Sequence, residues 1–283
     1  MSCPHCYSTQ ISNRSRLTAR GYRTFFCNYC RRTFNERTNS PFNRRQVNTE
    51  IIFEVVLWRL RYKLSLRDLA EMYLLKGFYF TRETVREWEA EYAPLLTDEL
   101  KNERKGHNTL RWKVDETLVK VRKKFYYLYR AIDSHGKLVD VKLSEVRNSE
   151  STTAFFEQAV ETTGQKPEQV TTDKEVSYPS AIEKVLGKKV EHRTGRWRNN
   201  RLEQDHRGLK GRYKPMRGFK NPENAERFCQ AYDEQRNFFS FRRQHKDKRK
   251  EIWKRADFKS KFYQLKKKFL KRELVWKQSA LTI

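Results

Sequence analysis

The spacing of apolar residues changes along the chain. Between residues 47 and 93 they recur every three or four positions, which is typical of helices that bury one face. The first such run is IIFEVVLWRLRY. Two further runs, SLRDLAEMYLLK and TRETVREWEAEYA, begin with residues that cap helices, Ser65 and Thr81, and Gly77 and Pro94 follow them. The pattern predicts three helices.

From residue 111 the pattern becomes that of strands. The segments RWKVDETLVKV, KFYYLYRAID and KLVDVKLSE are separated by short turn signals such as SHGK. Three antiparallel strands, a helix, a strand and further helices predict an α/β domain of ribonuclease-H-like type. The later elements are expected as a helix near 149–163, a strand at 168–173, a helix near 178–186, a strand around 188–192 and a long helix near 221–245.

The last segment, residues 246–283, is predicted to be a basic helix with one apolar stripe. The stripe consists of Phe258, Phe262, Leu265 and Phe269, and Lys and Arg fill most other positions. Such a helix could clamp DNA, pair with another protomer or dock on the catalytic domain. We favour docking, with phosphate contacts from the outer face.

The chain is strongly basic. The 283 residues include 62 Lys+Arg against 35 Asp+Glu, a formal net charge of +27, which indicates a polyanion such as nucleic acid. A hydrophobic content of 37% argues against general disorder. No apolar run approaches the ~20 residues that span a bilayer. The opening MSCPHC lacks a signal-peptide core, so we expect an intracellular protein without a membrane partner.

Four of the five cysteines lie within residues 1–38. They form two Cys-x-x-Cys pairs, CPHC and CNYC, which is the spacing of a structural zinc site with four thiolate ligands. The alternative is a redox or free-thiol pair. The pattern predicts a zinc ribbon holding one Zn²⁺, with ligands Cys3, Cys6, Cys27 and Cys30.

Residues 39–94 fit a DNA-binding helical domain. A helix, a turn containing glycine and a second capped helix are typical of a helix-turn-helix. The second helix would then offer Arg82, Thr84 and Arg86 to a major groove. A plain three-helix bundle is the alternative. Residues 95–110 read as a polar linker.

Three acidic residues suggest the chemistry. Asp115 lies in a predicted strand, Asp173 ends the short apolar run QVTTD, and Glu203 lies in the helical stretch NNRLEQDHRGLKGR. Together they would form a hard, oxygen-rich ligand set suited to Mg²⁺ or Mn²⁺. In so basic a chain, this set indicates a phosphoryl-transfer centre acting on DNA.

Basic and polar residues surround these acids in the sequence. They are candidates for contacts with the scissile phosphate and the DNA end, although a solvated basic face is the alternative for each. Glu116, next to Asp115, should point to the opposite face of its strand. The candidates are Lys174, Arg198, Asn199, Asn200, His206, Lys210 and Arg212.

These motifs together resemble the insertion-sequence-six family of DDE transposases, from prokaryotic mobile elements. The resemblance reaches residue 245 and is carried by VDET, FYYLYRAIDSHGKLVD, TTDK and EHR…RNNRLEQDHRGLKGR. It implies that Asp115, Asp173 and Glu203 are the catalytic triad. It also implies double-stranded DNA partners (transposon ends and target), a homodimer or higher oligomer, and a cytoplasmic, nucleoid-associated location.

The expected fold is therefore a multidomain α/β chain with four folded parts. These are a zinc ribbon at 1–38, a helix-turn-helix domain at 39–94, a ribonuclease-H-like catalytic domain at 111–245 after the linker at 95–110, and the basic helical tail at 246–283.

The expected reaction is cleavage of the terminal inverted repeats and transfer of the strand into target DNA. Two ions per active site, roughly 3.5–4 Å apart, would activate the attacking oxygen and stabilise the leaving one. We assign Asp115 to bridge them, with Asp173 and Glu203 each holding one.

Other functions remain open at this point. A DNA-binding regulator with a zinc ribbon and a helix-turn-helix would fit residues 1–93, and a nuclease of RNA–DNA hybrids would fit the acids. The second and third acids are 30 positions apart, several fewer than is typical of the family, so a catalytically dead derivative is a further alternative.

Overall fold

In the computed structural model of the protein, the described residues form two compact units. One unit comprises residues 1–55 with 241 and 250–272, and the other comprises the described residues between 56 and 240. No helix in the described part of the chain is long and apolar enough to cross a membrane. The described residues are 1–173, 175–195, 200–216, 218–241 and 250–272.

Strands and helices follow one another largely as the sequence predicts. The strands are β1 (Ile11–Leu17), β2 (Arg23–Cys27), β3 (Thr33–Asn35), β4 (Arg111–Val121), β5 (Lys124–Asp133), β6 (Leu138–Ser144), β7 (Gln169–Thr172) and β8 (Glu191–Thr194). The helices are α1 (Thr49–Arg61), α2 (Leu66–Leu74), α3 (Arg82–Arg104), α4 (Ser149–Thr163), α5 (Ser177–Val185), α6 (Asn200–Tyr213), α7 (Pro222–Phe238) and α8 (Lys250–Lys271).

The first unit contains a small antiparallel sheet in the order β1-β2-β3. Its apolar core is slight: Phe25 stacks on Phe34, with ring centroids 5.4 Å apart, beside buried cysteines. A core of this size rarely stabilises a fold alone, so we expect the cysteines to contribute to the stability of this sheet.

Helix α8 belongs to the same unit. Its predicted apolar stripe is confirmed, because Phe269 packs against Phe42 and Phe53 at centroid distances of 5.1 and 5.3 Å, and Phe262 packs against Phe53 at 5.6 Å. The expectation that this helix docks on the catalytic domain is wrong. The reason is the pair Phe42 and Phe53, which offers an aromatic surface for the stripe.

A five-stranded mixed sheet forms the centre of the second unit. Its order is β6-β5-β4-β7-β8, with β4, β5 and β6 antiparallel and β7 and β8 parallel to β4. Helices α4 and α5 cover one face, where Val114, Phe155, Phe156 and Tyr178 share a core. The predicted order of three antiparallel strands, a helix and a strand is confirmed.

Helix α3 is longer than the sequence predicts. It continues through Pro94 to Arg104, so the first part of the expected linker at 95–110 is helical. Proline removes one helical hydrogen bond. The buried side chains of Leu96 and Leu100 compensate, because they lie on the face of α3 that packs against α7.

Two buried ion pairs fix α7 on its neighbours. Arg104 on α3 lies 2.7 Å from Glu234, and Arg130 on β5 lies 2.6 Å from Asp233. Both acids belong to α7. Arg130 also lies 3.6 Å from Asp205 on α6, so this one guanidinium joins a strand to two helices.

Replacing Glu234 by Gln would leave the Arg104 guanidinium buried beside a neutral amide. We expect the free energy of unfolding to fall by about 3–5 kcal/mol, because an unpaired charge is left in a site removed from water. Urea denaturation of both proteins measures this. The control is Glu161→Gln at an exposed position of α4, which should change stability by less than about 0.5 kcal/mol. Equal stability of the two variants would contradict the prediction.

Candidate functional site

Two of the predicted acids lie on neighbouring parallel strands. Asp115 is in β4 and Asp173 directly follows β7. These strands pair in a register that places Lys113 opposite Thr171. Two residues further along each strand, Asp115 and Asp173 therefore lie side by side at the same edge of the sheet.

The third acid comes from a helix that packs on the same strand. Glu203 is exposed in the first turn of α6. Leu202 and Leu209 are buried beneath that helix, and the Tyr213 hydroxyl donates to the carbonyl oxygen of Leu118 at 3.2 Å. These contacts fix α6 against β4, with its first turn free to present Glu203.

Asp115 lies within electrostatic reach of the other acids. Burial, together with the negative charges of Glu116, Asp173 and Glu203, raises the pKa of Asp115 to about 7. A carboxyl group in this position binds a proton when no other cation neutralises the cluster. An oxygen-only donor set with excess negative charge fits a hard divalent cation.

Glu116 and Asp173 share an arginine partner that sequence reasoning did not foresee. Arg147 forms ion pairs with Glu116, with Glu175 at 3.1 Å and with Asp173 at 3.6 Å. The Tyr178 hydroxyl donates a hydrogen bond to Glu116 from α5. Through Arg147, Glu116 is therefore linked to Asp173. Nothing around Arg147 in the sequence marks it, since its role depends on contacts across the fold.

The structure does not support His206 as a charged DNA contact. The side chain is buried, and burial, with the charges of Arg130 and Lys210, lowers the pKa of His206 to about 3. The ring is therefore neutral and faces inward, because its place on α6 lies over the sheet. Asp205 on the same helix pairs with Arg236 at 2.6 Å, which leaves Glu203 as the acid available to the site.

The remaining candidates fall into three groups. Arg82 and Arg86 are exposed at the start of α3 and pair with Glu83 at 2.9 and 3.9 Å, and Thr84 lies between them. Arg212 is buried at the end of α6. Lys210 is half-buried in the same helix and Asn200 begins it, whereas Lys174, Arg198 and Asn199 lie outside the described residues.

The four predicted cysteines meet in one cluster. Their sulfur atoms all lie within 4.8 Å of one another, and both Cys3–Cys30 and Cys6–Cys27 are 3.6 Å apart. A tetrahedral Zn²⁺ with bonds of about 2.3 Å would need sulfur atoms about 3.8 Å apart. Among the described residues, the acids do not form so tight a group. The arrangement fits a metal ion better than a redox pair.

The mixed α/β core resembles retroviral integrase cores. The catalytic core domain of HTLV-2 integrase, in a structure with magnesium, is 22% identical, with a TM-score of 0.34 covering 45% of this chain and 86% of that one. The catalytic core domain of BIV integrase is 16% identical, with a TM-score of 0.35 covering 54% of this chain and 99% of that one.

Sequence comparison gives a more specific result. Residues 109–245 match a family model described as a DDE domain. The transposase of the insertion-sequence-like element IS431mec from Staphylococcus aureus strain Mu50 is 38% identical over 175 residues, which are 60% of this chain and 77% of that protein. The transposase of element IS257 in transposon Tn4003 gives the same values. The chain therefore belongs to the insertion-sequence-six family of DDE transposases.

Proposed function

We propose that the protein is a DNA transposase that cuts the ends of a mobile element and joins them to target DNA. Asp115, Asp173 and Glu203 act as its catalytic carboxylates. The observation that carries this proposal is the placement of Asp115 in β4 beside Asp173 at the end of β7, with Glu203 on α6 within electrostatic reach and Asp115 partly buried among like charges.

The three carboxylates would hold Mg²⁺ or Mn²⁺, two ions per active site, with Asp115 between the other two acids. Bound ions would activate the attacking oxygen and stabilise the leaving 3′ oxygen. The protein's own part is orientation. The backbone N–H of Glu175 donates to Asp173 at 3.1 Å, and that of Glu116 donates to Asp115 at 3.0 Å, so both carboxylates are held in place before DNA arrives.

The partners would be double-stranded DNA, both the element ends and the target. Helices α2 and α3, with capping residues Ser65 and Thr81, are joined by a turn at Gly77 that has a positive φ of 83°. This arrangement supports a helix-turn-helix in which the exposed Arg82 and Arg86 reach DNA. Joining two ends at once calls for a dimer or higher oligomer.

The four cysteines would hold one structural Zn²⁺ and make residues 1–38 a zinc ribbon. Support comes from the sulfur spacing and from two backbone N–H groups, those of His5 and Cys30, which donate to the sulfurs of Cys3 and Cys27 at 3.4 and 3.5 Å. Such bonds favour the thiolate form that binds metal.

A regulator that binds DNA without cutting it is not favoured. A regulator has no need of three converging carboxylates in a basic domain. The IS431mec and IS257 relatives, each matched over 77% of its length, are transposases.

Asp115→Asn should abolish strand joining while leaving binding to the element end unchanged. The reason is that an amide cannot supply the anionic oxygens a divalent ion needs. The assay incubates a labelled duplex of the element's terminal sequence with Mg²⁺ and a supercoiled plasmid, and a parallel gel shift measures binding. Asp98→Asn, at an exposed position of α3, is the control and should join as the wild type does. Joining by the Asp115 variant would refute the assignment.

Thermal denaturation tests the metal site without DNA. In EDTA, Asp115→Asn should melt a few degrees above the wild type, because it removes repulsion in the cluster, and about 1 kcal/mol corresponds to roughly 2–4 °C in a chain of this size. Added Mg²⁺ should raise the melting temperature of the wild type but not of the variant. A variant that is less stable in EDTA, or that responds equally to Mg²⁺, would show that these acids do not share an ion.

The purified protein should contain one zinc per chain by elemental analysis, and Cys27→Ser should lose it together with stability of the first unit. Cys229→Ser is the matched control, since Cys229 is buried in α7 far along the chain from the cluster and should leave the zinc content at one. Absence of zinc from the wild-type protein, or its retention in Cys27→Ser, would overturn the ribbon.

A further inference from the structure

The second unit contains a cleft lined mainly by cations. Its volume is about 620 Å³, and its wall combines the α1–α2 connection, the first turns of α3 and the segment after α6. Eight Lys and Arg side chains line it against two acids, Asp68 and Glu89. Asp68 accepts a hydrogen bond from the Ser65 N–H at 2.7 Å, and Glu89 pairs with Arg59 at 2.6 Å, so the cations of the lining outnumber its acids by six.

Arg212 is the unusual member of this wall. It is only 3% exposed, and no carboxylate of the described residues lies within ion-pair distance of it. Its guanidinium donates to the Arg59 carbonyl oxygen and lies over the Phe228 ring, 5.5 Å from the centroid, while its Nε has no partner. Burial and the nearby Arg59 charge lower the pKa of Arg212 to about 10. A buried cation that lines a cleft without a carboxylate partner favours an anionic ligand there.

The floor of the cleft is fixed in advance. Arg122, in the β4–β5 turn, donates from its backbone N–H to Phe219 at 2.7 Å and from Nε to the Lys220 carbonyl oxygen at 2.6 Å. Gly218 has a φ of 85°, and a Cβ there would lie 3.0 Å from the Lys120 carbonyl oxygen, so the segment sits directly on the turn. Because the cleft is already formed, binding of an anion costs little conformational entropy.

We propose that this cleft holds a backbone phosphate of the element-end DNA, with Arg212 at its base and Lys63 and Lys220 at its rim. The inference rests on the proposed transposase function and adds a site to it. DNA is favoured over an acidic protein segment because the cleft lies between two parts of the same DNA-acting unit, the start of α3 and the end of α6.

Helix α6 gives the position of this phosphate. Glu203 and Arg212 are nine residues apart on the helix, which is about 14 Å along its axis. Duplex DNA rises about 3.4 Å per base pair. For a duplex that runs along α6, the phosphate in the cleft should therefore lie about four base pairs from the bond that is cut.

The first test measures end binding against salt concentration, in EDTA, by fluorescence anisotropy with a labelled 40-base-pair duplex of the element's terminal sequence. Arg212→Gln and, separately, Lys220→Gln should each lower the slope of log K against log salt by about one, because each removes one phosphate contact. Lys188→Gln, at an exposed turn outside the cleft, is the control and should keep the wild-type slope. Lys220 is exposed, so that variant remains informative if Arg212→Gln does not fold.

The second test neutralises one phosphate at a time with methylphosphonate. The wild type should lose about tenfold in affinity at a position about four base pairs from the cut, and Arg212→Gln should lose nothing further there. Wild-type slopes in both cleft variants, or an undiminished methylphosphonate effect in Arg212→Gln at every position, would overturn the proposal. If the wild type joins DNA while the cleft variants bind normally, the cleft inference alone fails. If the wild type joins nothing in Mg²⁺ or Mn²⁺, the proposed function fails first.

Discussion

One buried guanidinium determines how the second unit is arranged. Arg130 lies opposite Asp115 in the paired strands, is fully buried, and is neutralised by Asp233 on α7 with Asp205 on α6 close by. Moving α7 away would leave the Arg130 charge unpaired in the interior, which is strongly destabilising. Asp205 on α6 pairs with Arg236 on α7 at 2.6 Å, and Glu203 is only two residues from Asp205. The placement of Glu203 thus depends on ion pairs that hold α6 and α7 together.

The carboxylate cluster around Asp115 destabilises the fold, whereas the Arg130 ion pairs stabilise it. Asp115 is held among like charges, so its cluster opposes folding until a cation neutralises it, whereas Arg130 is already balanced. Functional sites often contain like charges that destabilise the fold, and the rest of the protein supplies the compensating stability. Arg147 resembles Arg130, because it is paired with acids such as Asp173. Arg212 resembles Asp115, because it lies beside the like charge of Arg59. The distribution of satisfied and unsatisfied charges therefore distinguishes the framework from the sites proposed to bind ligands.

Sequence predicts those parts of the protein that are determined locally. The cysteine spacing, the caps at Ser65 and Thr81, and the alternation of the strands are visible in a few residues each, and the structure confirms them. The length of α3 could not be predicted, because burial of distant partners outweighs Pro94. The same holds for His206, whose burial follows from where α6 lies on the sheet. Pair contacts across the fold leave no local pattern to detect.

Helix α3 has a mechanical consequence. Its 23 residues form one rod of about 34 Å, from the exposed Arg82 to Arg104, which is fixed on α7. In the proposed function, a flexible linker would let the DNA-reading helix and the cutting centre adopt many separations, whereas a rod imposes one. An extra base pair between the sequence read and the bond cut would then shift the two by about 3.4 Å and rotate them by about 34° around the duplex. The length of α3 would therefore fix the spacing between these two positions in the element end.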